Sequence, residues 1–272
     1  MRRVAWVTGA SRGMGANTAT QLAKAGFDVA LTARDQARLA AVAEKIEAVG
    51  RSALAHPADL TDRDAVCGFA EAALSRFGRC DVVCNIGIYQ GPGMTSMFLD
   101  TPVQEFALSF EADVLAPAAL CQRAIPVMIE QGGGTIVNMS SSSVFLDPPG
   151  TVRDNGWSLA YVAAKAGIDQ FASIFNVELG PAGIRAFNAE PGFVAYGEEL
   201  RASLAKYPGI PVSPPEAIGP AIVWLVESPD ADRLLSKRVY LPGITHKYRL
   251  LADWDGPGSA YPRVTRQLPD RY

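Results

Sequence analysis

The stretch Val4-Ala5-Trp6-Val7-Thr8-Gly9-Ala10-Ser11-Arg12-Gly13-Met14-Gly15 decides how the rest of the chain is read. Val4 to Val7 is an apolar run suited to a strand buried on both faces. The glycines after it break the run just before a helix predicted from Gly13. Without a Cβ at Gly9, Gly13 and Gly15, the backbone can turn tightly and bring N–H groups close to an anion. The helix adds the positive end of its dipole, so the turn is shaped to hold a dinucleotide diphosphate. The spacing is Gly-x3-Gly-x-Gly, not Gly-x-Gly-x-x-Gly. Such a turn can also be purely structural, so its weight depends on the residues further along the chain.

Downstream, short apolar runs alternate with longer amphipathic ones, the pattern of parallel βαβ units. Strands are predicted at Arg3–Thr8, Asp28–Ala33, Ser52–His56, Asp81–Cys84, Thr135–Met139, Ile184–Glu190 and Arg238–Leu241. Helices are predicted at Gly13–Ala25, Gln36–Val49, Asp62–Phe77, Pro102–Gln131, Ser158–Gly180 and Pro214–Glu227. Right-handed crossovers turn this order into a single doubly wound, Rossmann-type α/β domain, with helices on both faces of a mostly parallel seven-stranded sheet. The domain is expected over residues 1–244, and 245–272 reads as an irregular C-terminal tail rich in Pro, Gly and Arg.

A length of 272 residues and 49% hydrophobic content suit one such domain. The net charge of −3, with both signs interspersed, argues against nucleic acid or an anionic membrane as a main partner. No uninterrupted apolar span of membrane-crossing length occurs; the best stretch, Val114 to Ile129, contains Pro117, Gln122, Arg123 and Pro126. A first strand starting at Arg3 leaves no room for a signal peptide, so a cytoplasmic location is expected. Cys67, Cys80, Cys84 and Cys121 have no metal-ligand spacing and read as reduced packing residues; no metal is expected.

Tyr161-Val162-Ala163-Ala164-Lys165 places a phenol and an ammonium one helical turn apart, on one face. Ahead of it, Asn138-Met139-Ser140-Ser141 ends a predicted strand, and Pro191-Gly192 comes after a later one. In this order the segments resemble the short-chain dehydrogenase/reductase family over roughly residues 3–243. The resemblance assigns Thr8–Gly15 to the cofactor turn, with Gly9, Ser11, Arg12, Gly13, Met14 and Gly15 as contacts. It implies that Asp59 and Leu60 meet the adenine, that Asn85 and Gly87 line the adenosine side, and that Pro191, Gly192 and Val194 lie beside the nicotinamide. Tyr161 would be the acid/base. Lys165 would lower its pKa and hold the nicotinamide ribose, and Ser141 would polarise the substrate oxygen. Ser140, Ser142 and Ser143 are alternatives to Ser141.

The residue just past the second strand faces the adenosine ribose, where a cation welcomes a 2′-phosphate and an acid accepts from a 2′-hydroxyl. Arg34 holds that position and Arg12 is within reach of it; Asp35 is the counter-argument. The balance favours NADP(H), with NAD(H) as the alternative. Four departures from the family pattern stand out: Ile86 where alanine is usual, Asp113 where a helix asparagine usually joins the proton relay, Tyr196 where a threonine is common, and a long Ser141–Tyr161 segment. Asp113 is therefore placed with the catalytic group, but its charge opposes the help Lys165 gives to Tyr161.

The leading expectation is an NADP(H)-dependent oxidoreductase that interconverts a ketone and a secondary alcohol. Walls from Ile88–Met97, Asp147–Trp157 and Tyr196–Pro211, with Phe145, would suit a hydrophobic or cyclic small molecule. The alternative is a cofactor-binding sensor or scaffold with weakened catalysis. A Ser/His/Asp hydrolase fails, because there is no Gly-x-Ser-x-Gly elbow and the two histidines, His56 and His246, fall in a strand and in the tail. Apolar positions such as Phe171, Ile174 and Phe175 suggest a homo-oligomer, by resemblance.

Overall fold

A computed structural model describes residues 2–154, 156–195 and 212–257. Its strands are β1 (Val4–Thr8), β2 (Asp28–Thr32), β3 (Ala53–Ala55), β4 (Val82–Asn85), β5 (Gly134–Met139), β6 (Ile184–Glu190), β7 (Phe193–Val194), β8 (Val212–Ser213) and β9 (Arg238–Tyr240). Seven of them form one parallel sheet in the order β3-β2-β1-β4-β5-β6-β9, while β7 and β8 pair separately. The order reverses between β1 and β4, which opens a crevice at the carboxyl ends of those strands. The expected doubly wound α/β fold is therefore present.

Alternation along β1 explains the two cores. Ala5 and Val7 pack on one face of the sheet with Leu22, Val29 and Ile222, while Val4 and Trp6 pack on the other with Phe69, Leu120 and Ile136. Each large side chain buried this completely contributes about 1.5–3 kcal/mol. The covering helices are α1 (Gly13–Lys24), α2 (Gln36–Glu47), α3 (Arg63–Phe77), α4 (Val103–Phe110), α5 (Ala116–Glu130), α6 (Leu159–Asp169), α7 (Phe171–Glu178), α8 (Ile218–Glu227) and α9 (Leu241–Lys247). Three side-chain caps set helix starts: Asp35 accepts from the Arg38 N–H (3.0 Å), Asp62 from that of Ala65 (3.0 Å) and Ser158 from that of Tyr161 (3.2 Å).

Three elements differ from the sequence reading. The long helix expected over Pro102–Gln131 carries a π turn at Glu111–Leu115 between α4 and α5. The helix expected over Ser158–Gly180 divides at Gln170 into α6 and α7. The expected tail boundary at Thr245 falls inside α9, because the buried Thr245 hydroxyl donates to the Ala217 carbonyl at 2.6 Å and draws this turn into the core. By length and composition the Val103–Glu130 helix could cross a membrane, but 61% of its most apolar window is buried against the rest of the fold, as in a core helix. All four cysteines are free, and burial pushes the Cys84 and Cys121 thiols up to about 12.

Candidate active site

A cleft of about 1160 Å³ runs from the glycine turn after β1 to the start of α6. Gly9 and Gly13 have positive φ angles of +67° and +55°. A Cβ on Gly15 would lie 2.2 Å from the Gly9 carbonyl oxygen, and one on Gly9 would lie 2.7 Å from the Gly87 Cα. The Thr8 hydroxyl oxygen closes this turn by accepting from the N–H groups of Ile86 and Gly87, both at 3.0 Å. The predicted residues Gly9, Ser11, Arg12, Gly13, Met14 and Gly15 all line the cleft, as do Arg34, Asp59, Leu60, Gly87, Pro191 and Val194. Tyr161 and Lys165 line its other end.

Asn85, expected on the adenosine side, does not line the cleft, although its neighbours Ile86 and Gly87 do. Asn85 lies opposite Asn138 in the β4–β5 register and donates to its amide oxygen at 2.8 Å, so its side chain stays within the buried sheet. Gly192 also falls outside the lining; its φ is +63°, and a Cβ there would meet the Tyr240 ring at 2.9 Å. Among the expected substrate walls, Ile88 and Met94 line the cleft, whereas Met97, Trp157 and Phe145 do not. Phe145 instead lies under the Arg238 guanidinium, 4.2 Å from its ring centroid. Tyr196 and the Tyr196–Pro211 segment, like Asn155, lie outside the described residues. Tyr89 and Gln90, inside the Ile88–Met97 wall expected from the sequence, also line the cleft.

At the ribose corner, Asp35 is already engaged. Its carboxylate caps α2 and pairs with the Arg38 guanidinium at 3.2 Å. Arg34 and Arg38 line the cleft here, and Arg12 donates to the Gln90 side chain.

At the chemical end, α6 begins with the Ser158 cap, which holds the N–H of Tyr161 itself. One turn on, the Lys165 ammonium donates to the Met139 carbonyl at 2.9 Å and sits 3.5 Å from the Asp113 carboxylate, both side chains only 3% exposed. Burial lowers the lysine's pKa and Asp113 opposes that; burial raises the pKa of Asp113 and Lys165 opposes that. The other Asp113 oxygen accepts from the Tyr89 N–H at 2.7 Å. Asp113 thus ties the π turn to the cleft wall as well as to the lysine.

Ser141 caps a short 3₁₀ turn, its Oγ accepting from the Ser143 N–H at 3.2 Å and from the Ser143 hydroxyl at 2.9 Å. A hydrogen bond between Ser141 and the Tyr161 phenol favours the phenolate. Burial is the stronger effect, and with the charges of Asp113 and Glu190 it pushes the phenol up to about 12. Ser141, Tyr161, Lys165 and Asp113, distant in sequence, are therefore one cluster. It can exchange a proton at the phenol oxygen and donate a hydrogen bond beside it.

A family profile described as short chain dehydrogenase matches residues 3–205. An uncharacterized oxidoreductase of Mycobacterium tuberculosis (strain CDC 1551 / Oshkosh) is 31% identical, covering 98% of this chain and 96% of its own length. The 3-oxoacyl-[acyl-carrier-protein] reductase of Staphylococcus aureus (strain Mu50 / ATCC 700699) is 32% identical over 71% of this chain and 75% of its own. Among solved structures, a metagenomic short-chain oxidoreductase in complex with NADP is similar at a TM-score of 0.68 and 31% identity, covering 88% of this chain and 96% of that one.

Proposed function

The chain belongs to the short-chain dehydrogenase family, an oxidoreductase by that membership, and from this premise we propose that it interconverts a ketone and a secondary alcohol with NADP(H). The observation that carries the reading is the hydrogen bond between Ser141 and Tyr161, whose phenol lies with Lys165 at one end of a cleft whose other end is a glycine cradle; Ser140 lines that end and Ser141 stands just behind it. That cradle fits a dinucleotide, since a Cβ at Gly9 or Gly15 would strike backbone and close it. A bound nicotinamide dinucleotide supplies or accepts the hydride. In reduction, Tyr161 gives its proton to the developing alkoxide and Ser141 steadies the substrate oxygen. In oxidation the phenolate takes the proton back. Lys165, one turn from Tyr161 on α6, carries the positive charge of this end, and Asp113 moderates it.

NADP(H) over NAD(H) is supported by the ribose corner, where Arg34 and Arg12 line the cleft while Asp35 is engaged by its own helix. Two guanidiniums match a 2′-phosphate better than a hydroxyl. The apolar side chains of Ile88 and Met94 near the chemical end favour a hydrophobic or cyclic carbonyl substrate. Four free cysteines accord with a reducing, cytoplasmic setting.

Titrating the purified protein with NADPH and NADH by fluorescence, then assaying a carbonyl panel with wild type and Tyr161→Phe, tests the proposal. NADPH should bind more tightly than NADH, and Tyr161→Phe should lose about 100-fold or more in kcat with NADPH affinity kept. Binding without turnover on any carbonyl or alcohol would replace this reading with that of a cofactor-binding sensor, which the buried Asp113–Lys165 pair favours.

A further inference from the structure

Beyond Tyr161 and Lys165, α6 presents a third charged side chain on the same face. Tyr161, Lys165 and Asp169 succeed one another at intervals of one turn. Asp169 is 5% exposed, and both its carboxylate oxygens are engaged. Oδ1 accepts from the Ser140 hydroxyl at 2.5 Å; Oδ2 accepts from the Arg238 guanidinium at 3.0 and 3.3 Å. Ser140 is the residue before Ser141, and its N–H donates to the Ala189 carbonyl at 2.8 Å. The Arg238 guanidinium in turn lies over the Phe145 ring, at the far end of the 3₁₀ turn that Ser141 caps.

We propose that Asp169 is a positioning residue that sets Ser141 against Tyr161, by gripping the segment on both sides of Ser141. On one side it holds Ser140 directly. On the other it holds Phe145 through Arg238. Because Asp169 stands on the helix that carries Tyr161, the same side chain references Ser141 to the phenol it must meet. A neutral amide would lose the charge that pairs with Arg238 and could reach Ser140 only by donating to its hydroxyl, whereas an alanine releases both sides. Geometry of this kind matters to rate, because a displacement of about 1 Å can lower turnover about 100-fold. The inference rests on the oxidoreductase reading above, and its test separates the two.

The test compares wild type with Asp169→Ala, Ser140→Ala and Arg238→Met in NADPH titrations, steady-state kinetics on a carbonyl that wild type reduces, and crystal structures. Asp169→Ala should lower kcat about 100-fold with NADPH affinity and substrate KM little changed. Ser140→Ala, a small change that leaves the Asp169–Arg238 pair in place, should reproduce most of that loss. Arg238→Met should cost less, and the Asp169→Ala/Arg238→Met double variant should lose no more than Asp169→Ala alone. The variant structures should display Ser141 Oγ moved away from the Tyr161 oxygen, a result independent of turnover. Full kcat in Asp169→Ala, or a Ser141 that stays in place in its structure, would overturn the inference. Absence of turnover in wild type would instead count against the oxidoreductase reading, and the crystallographic comparison would still decide this one.

Discussion

At the scale of single residues, Asp113 is where this chain departs most from the family pattern. Its carboxylate shares a buried site with Lys165 and raises the pKa of Tyr161, as does Glu190. Alcohol oxidation needs the phenolate, so its rate climbs as pH passes the tyrosine's pKa. Asp113→Asn removes one of the two negative charges, which lowers that pKa and should move the rising limb of oxidation to lower pH by about one unit. A pH profile of kcat for wild type and variant checks this. A limb displaced upward would mean that Lys165 loses its charge along with its partner, and would refute the sign. The place of Ser141 at the strand end is legible in the sequence, but its contacts with Ser143 are not. They depend on a 3₁₀ turn that brings two contacts onto one oxygen. Asn85 misleads for a similar reason: only the register of β4 against β5 reveals that its amide faces Asn138.

At the scale of elements, Ile184–Glu190 is legible residue for residue, because Gly183 and Pro191 bracket it as breakers. The π turn at Glu111–Leu115 is invisible, since a single added residue per turn barely disturbs a 3.6-residue period. That turn holds Asp113 between the Tyr89 N–H and Lys165, so the element that escapes sequence reading is one that builds the site. Asp35 gives a second case: it lines the cleft and also caps a helix, which the sequence alone does not separate. Asp35→Ala should destabilise the fold by about 1 kcal/mol, read from urea unfolding, while leaving the preference for NADPH over NADH intact or larger. A switch toward tight NADH binding would be hard to reconcile with either half of that argument, and a loss of affinity for both dinucleotides would return Asp35 to the cofactor site.

At the scale of the whole molecule, an apolar groove of about 550 Å³ lies between α5 and the α6–α7 pair, lined by Ile125, Phe171 and Phe175 among others. Beside it Ile174 is 51% exposed and Val177 77%. Exposed apolar surface of this kind suits a self-complementary contact with a second copy. Ile174→Glu should convert a homo-oligomer into monomers in light scattering; a wild type that is already monomeric would remove the idea. The helices that bear this surface run on, through the break at Gln170, from the turn that holds Tyr161 and Lys165. Chemistry and the exposed apolar surface therefore share one spine. Should copies join there, output per molecule would depend on how crowded the solution is with them, and a sharply diluted sample should slow during its assay.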